Sequence, residues 1–141
     1  YFRVPRYFGV PVLYTNCSAS VQYFSLMKHD LNLFCLLKYK NTNKYLSFKE
    51  LLTPPISMFS SASNFENADL QSVKNTSSEI EAATKEMIMQ TRFNNPPEFD
   101  DLQEKFKIIA EMCGQKYGNN SVEAFSPIGK DFLHKHSNLL E

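Results

Sequence analysis

Two stretches of the chain are apolar with almost no alternation. Val10 to Tyr14 is short and contains two β-branched residues, and Leu31 to Tyr39 ("LNLFCLLKY") is longer. A strand covered on both faces, as in a parallel sheet, has this pattern. Periodicity alone leaves a buried helix open for the second stretch. Pro11 fits near a strand start, where its missing N–H lies outside the ladder. Asp69 to Asn75 ("DLQSVKN") reads as a third, short strand.

The remaining pattern is helical or polar. Residues 1–8 are aromatic and basic and read as the end of a helix closed at Gly9, where glycine takes a left-handed cap at little cost. In "YLSFKELL", Ser47 and Glu50 have the spacing of a capping box, and Pro54 and Pro55 stop the helix that follows. Residues 56–68 are rich in Ser and Asn, have no period, and read as a long loop. Thr76 and Glu79 repeat the capping-box spacing and open a helix with Ile80, Thr84, Met87, Ile88 and Thr91 on one face. Phe99, Leu102, Phe106, Ile109, Ala110, Cys113 and Tyr117 share a face of the next helix. Its first turn is acidic and Gly118 ends it. Ser126-Pro127 then reads as the start of a last helix.

Strands interleaved with helices predict an α/β fold with a parallel sheet flanked by helices. Only three strands are visible, against about five or six in a complete doubly wound sheet. The sequence opens on Tyr1-Phe2-Arg3 without Met. Both features predict an incomplete Rossmann-like domain over residues 1–141, with 94–141 as its helical C-terminal extension.

Charge and cysteine content narrow the function classes. The 15 basic and 15 acidic residues cancel and are dispersed, unlike the clustered Lys and Arg that neutralise nucleic-acid phosphates. Lys38, Lys40, Lys44 and Lys49 form the densest basic group and read as a solvated edge. No apolar run approaches the ~18 residues of a membrane span. Cys17, Cys35 and Cys113 are far apart and have no zinc-type spacing, so reduced thiols in the cytoplasm are expected.

Ligands of open α/β sheets gather beyond the carboxyl ends of the strands. Thr15, Asn16 and Ser18 follow the first apolar run there, and their side chains suit ribose or sugar hydroxyls. They are the predicted substrate-binding residues; the competing reading is that they bond their own turn. Cys17 has no partner His at a catalytic spacing. His29-Asp30 has the composition of a general-base pair, although Asp30 also suits a cap into the next strand. His134 and His136 are two apart, which is poor for shared metal ligation. Glu98, Asp100, Asp101 and Glu104 are accounted for by the helix dipole, so no metal site is expected.

Four stretches taken in order carry a resemblance: "FGVPVLYTN" with the apolar strand after "DL", then "KYLSFKELL", "VKNTSSEIEAATKEM" and "IGKDFLHKHSNLL". This order resembles the C-terminal part of a group of bacterial glycosyltransferases associated with surface-polysaccharide synthesis. That group is similar to the two-Rossmann-domain architecture called GT-B. The resemblance spans most of the chain and is weakest over residues 54–68. It implies a transferase that moves a sugar from a nucleotide donor to a glycan or other acceptor, with no required metal or other cofactor. It also implies an N-terminal part of the same protein as partner and a cytoplasmic location, with peripheral association at the inner face of the membrane. The diphosphate-holding turn would precede Tyr1. Members often carry a Pro-Lys pair where this chain has Phe34-Cys35, and the resemblance assigns no catalytic residue. A non-catalytic interaction module and a nucleotide-sugar epimerase are the alternatives.

Overall fold

A computed structural model describes residues 5, 8–18, 30–93, 100–113 and 127–141. In chain order its elements are β1 (Leu13–Cys17), β2 (Leu31–Phe34), β3 (Leu36–Tyr39), α1 (Phe48–Leu52), a 3-10 turn (Ile56–Met58), α2 (Ala62–Asn67), β4 (Leu70–Val73), α3 (Ser77–Arg92), α4 (Asp101–Met112), α5 (Lys130–Lys135) and a last 3-10 turn (Ser137–Leu140). The chain is α/β. β1 and β2 pair in parallel, whereas β3 and β4 pair antiparallel. Among the described residues the parallel arrangement is therefore confined to β1, β2 and a single bridge from Asn32 to Ile128.

The central apolar run is interrupted. Leu31 to Tyr39 forms two strands, divided at Cys35, where the chain leaves its parallel neighbour and takes up an antiparallel one. All of Leu31, Asn32, Leu33 and Phe34 are buried, which is why this run does not alternate. Successive residues point to opposite faces. Leu33 packs near Gly129 and Ala83, and Phe34 stacks on Phe106 with ring centroids 6.0 Å apart. The helices thus cover β2 on both sides, with α3 over one face and α4 over the other.

β1 begins later than the apolar pattern predicts, at Leu13 in place of Val10. The Val12 N–H is taken by Asp30 Oδ1 at 2.7 Å, and the Val12 carbonyl is the first to accept from β2, through Leu31 N–H. Gly9 has φ 65, the left-handed conformation expected of it, and the Pro5 carbonyl accepts from both Phe8 and Val10 N–H. The other residues of the predicted N-terminal helix end lie outside those described.

Both predicted capping boxes are present. Ser47 and Thr76 each accept from the backbone three residues on, while Glu50 and Glu79 reach back to the cap N–H. The stretch over 56–68 corrects the loop reading. It holds a 3-10 turn and α2, which has its own capping box between Ser61 and Asn64. Asn64 supplies the returning side-chain oxygen that a search for Glu or Gln passes over.

The buried face of α3 also differs from the predicted one. Glu79, Ala83 and Gln90 are buried, whereas Thr84, Ile88 and Thr91 are exposed. Glu79 and Glu86 face partners on the C-terminal segment, whereas Gln90 donates only to Glu86 on its own helix. Lys130 N–H donates to Glu86 Oε2 at 2.8 Å, and Glu79 holds Lys135 and His136. α4 follows the prediction more closely. Asp100 caps it, accepting from Leu102 and Gln103 N–H, and Phe106 and Ala110 enter the core with Leu102, Ile109 and Cys113 packed against it. Phe99, Tyr117, Gly118 and Ser126 lie outside the described residues. Pro127 does not open a helix: its carbonyl accepts Asn32 N–H, Gly129 N–H donates to the Asn32 carbonyl, and α5 starts at Lys130. The C-terminal residues Phe132, Leu133, Leu139 and Leu140 belong to the same buried cluster as the strands.

α5 is fastened by acids at two helix starts. His134 Nε2 lies 2.7 Å from Asp100 Oδ2, while Lys135 Nζ and His136 Nε2 lie 2.7 and 3.0 Å from Glu79 Oε1. Burial alone pushes the Glu79 carboxyl up. Hydrogen bonds from Lys135, Thr76 N–H, His136 and the Thr76 hydroxyl outweigh it and hold the pKa at about 2, against the usual 4.5. A depressed folded pKa stabilises above the unfolded value and loses that stabilisation as pH falls through the folded one. The Glu79 clasp is therefore expected to contribute on the order of 3 kcal/mol above pH 4.5, lost between there and pH 2. Denaturant titrations of wild type and Glu79→Gln across this range check it. Parallel acid limbs in the two proteins would show that Glu79 is not the group responsible.

Candidate functional site

The first apolar run ends in a bulge. Tyr14 pairs with Asn32 and Cys17 with Phe34, so Thr15 and Asn16 together oppose Leu33. Asn16 takes up the turn with φ 54, a left-handed conformation that Asn tolerates better than most residues. Its backbone N–H donates to Asn75 Oδ1 at 2.7 Å, and Asn75 N–H donates to Asn16 Oδ1 at 2.8 Å. Asn75 Nδ2 reaches the Phe34 carbonyl at 2.8 Å. One asparagine before α3 thus ties together the carboxyl ends of β1 and β2.

Beside this clasp is a pocket of about 210 Å³, lined by Asn16, Ser18, Cys35, Leu37, Leu51, Ile56, Phe65 and Ser72. It opens where the parallel pair gives way to the antiparallel pair. Asn16 and Ser18 come from the end of β1, Cys35 from the end of β2, Leu37 and Ser72 from β3 and β4. Leu51, Ile56 and Phe65 close it from α1, the 3-10 turn and α2. Phe65 is held edge-to-face against Phe59, with centroids 5.4 Å apart.

Of the predicted substrate-binding residues, Asn16 and Ser18 line the pocket and Thr15 does not. Thr15 and Asn16 share the bulge, and the left-handed turn at Asn16 leaves only the second of them on the pocket side. The lining residues that the sequence reading missed are Cys35, Leu37, Leu51, Ile56, Phe65 and Ser72. Cys35 marks the break in the apolar run; the others carry no local signal and meet only because the chain returns through α2 and β4.

The other candidates have structural partners. Cys17 is half-buried, and burial raises its thiol pKa, with Cys35 adding to the effect, so it is a poor nucleophile at neutral pH. Asp30 is fully buried and fixes Val12, while His29 lies outside the described residues. His134 and His136 are committed to Asp100 and Glu79, as above. Among the described residues no group of three or more His, Cys, Asp or Glu is placed to hold a metal ion, and no helix is long and apolar enough to cross a membrane.

A larger and more open groove of about 460 Å³ runs between α3 and the start of α5, where Glu81, Glu86 and Asp131 mingle with Lys85 and Lys130. Lys85 Nζ lies 2.6 Å from Glu81 Oε1, and Glu86 accepts from the Lys130 backbone N–H. The smaller pocket, with neutral polar groups facing an apolar wall, has the make-up of a ligand site.

No protein-family model matches the chain, and neither a curated protein nor a solved structure is significantly similar to it.

Proposed function

We propose that the chain is the nucleotide-sugar-binding part of a glycosyltransferase of GT-B-like architecture, moving a sugar from a nucleotide donor to a glycan or other acceptor. In this reading β1, β2 and the bridge at Ile128 belong to an incomplete Rossmann-like sheet, and the N-terminal part of the same protein supplies the acceptor side. No metal or other cofactor is required. The reaction runs in the cytoplasm, with peripheral association at the inner face of the membrane.

The observation that carries the reading is the pocket at the carboxyl ends of two parallel strands, with Asn16 and Ser18 on its polar side. Crevices outside such strand ends are where open α/β sheets bind their ligands. Amide and hydroxyl groups on one side and aliphatic and aromatic carbon on the other match the two faces of a pyranose ring. The site's part in catalysis is to hold and orient the donor; the roles of acid, base and nucleophile fall to none of these residues.

Titration with nucleoside-diphosphate sugars of uridine, guanosine and thymidine tests this. At least one is expected to bind and to protect Cys35 from alkylation, located by mass spectrometry. Ser72→Phe, which fills the pocket from an exposed position, is expected to abolish binding while leaving the melting temperature close to wild type. Product analysis of the longer protein with and without acceptor then discriminates: transfer supports the reading, isomerised donor indicates an epimerase, and failure to bind any donor indicates an interaction module.

A further inference from the structure

We infer that the pocket accepts one neutral sugar ring carrying a methyl or acetyl group and rejects carboxylated sugars. This rests on the donor-site reading and deepens it, because the size and chemistry of the lining restrict which part of a donor enters and which donors suit.

Size comes first. Pockets that enclose a drug-sized molecule measure roughly 300–1,000 Å³. At about 210 Å³ this one is smaller, enough for a single substituted ring and too small for a nucleoside with its sugar. The nucleoside and diphosphate therefore lie outside it.

The lining is divided into two chemistries. Leu37, Leu51, Ile56 and Phe65 form an apolar wall that gains by covering carbon, and a 6-deoxy methyl, which has lost its hydroxyl, or an acetyl group offers it more apolar surface. The other side is polar and neutral. Asn75 N–H donates to Asn16 Oδ1, which fixes the orientation of the amide and leaves Nδ2 as its donor. The hydroxyls of Ser18 and Ser72 have no side-chain partner among the described residues and can each donate or accept.

Charge decides against uronic acids. Among the described residues no Lys, Arg or His lines the pocket. A carboxylate entering it gives up its water shell and meets no cation among the described residues, a loss that neutral donors offset only partly. A phosphate is rejected for the same reason, in agreement with the size limit.

NMR titration of the 141-residue chain with four methyl glycosides tests the inference: N-acetylglucosamine, 6-deoxygalactose, glucose and glucuronic acid. The N-acetyl and 6-deoxy sugars are expected to shift the amides of Ser18, Phe65 and Ser72, with glucose weaker and glucuronate weaker by about tenfold or more, equivalent to ~1.4 kcal/mol. Ser72→Lys places an ammonium at an exposed edge of the pocket. It is expected to raise glucuronate affinity and reverse the preference, with thermal melting confirming that the variant is folded. Equal binding of glucuronate and the N-acetyl sugar by wild type overturns the inference and leaves the donor-site reading standing. Equal binding of glucose and the N-acetyl sugar overturns the apolar-substituent part. If no glycoside and no nucleotide sugar perturbs these amides, the donor-site reading itself fails.

Discussion

Phe106→Ala is expected to lower the unfolding free energy by about 3–5 kcal/mol, the usual cost of removing a buried phenyl ring from a core. Phe106 is fully buried. It stacks on Phe34 and meets Phe48 edge-to-face, with centroids 5.3 Å apart and planes at 87°. The ring therefore joins α4 to the end of β2 and to α1. Alanine removes both aromatic contacts and leaves a void that three elements must close at once. Because single domains are stable by only about 5–15 kcal/mol, the loss should be plain in the denaturation midpoint. Phe34 immediately precedes Cys35 and α1 contributes Leu51, so the pocket should loosen as well, seen as faster alkylation of Cys35. A loss below about 1 kcal/mol would mean that the space around Phe106 is not closed.

Gln103→Leu should cost about 2–5 kcal/mol for a different reason: it strands two buried backbone groups, each worth roughly 1–3 kcal/mol when left unpaired. Gln103 is 1% exposed, and its amide grips both backbone groups of one residue in the C-terminal segment. Its Nε2 donates to the Ile128 carbonyl, and its Oε1 accepts Ile128 N–H at 3.3 Å. The side chain takes the place of a neighbouring strand, while on the other side Pro127 and Gly129 pair with Asn32. Leucine has similar bulk and is apolar, so burial is kept and only the hydrogen bonds are lost. Denaturation together with amide exchange at Ile128 and Gly129 checks this. Gln103→Glu, which sets a buried carboxylate against the Ile128 carbonyl, should cost at least as much. Unchanged exchange at Ile128 in Gln103→Leu would show that the peptide is held by other groups.

Local chemistry was legible in the sequence wherever a few neighbouring residues settle the outcome. Ser47 with Glu50 and Thr76 with Glu79 cap helices because the partners are three residues apart on one turn. Gly9 marks its left-handed turn. The two apolar runs contain the strands that pair in parallel, but only Leu31 to Phe34 is covered throughout; β1 is buried at Tyr14 alone and Val10 is half exposed. From that pair came the polar corner at Asn16 and Ser18, the part of the candidate site that lies at one strand end.

Tertiary structure decided the rest, because each remaining feature depends on a partner far away in the chain. Leu31 to Tyr39 reads as one strand, yet at Cys35 it changes neighbours, a choice fixed by where β4 returns. Glu79, Glu86 and Gln90 look like solvated positions on α3, but they turn inward toward residues of α5 or toward one another. Phe65 and Ser72 join Asn16 at the pocket only after α2 and β4 have folded back, and Asn75 becomes the tie between strand ends for the same reason. The sequence determines which segments must be covered and where helices start, since burial propensity and capping act over a few residues. Which surfaces cover them, and hence whether a polar strand end faces a pocket or its own turn, depends on packing that brings distant residues together.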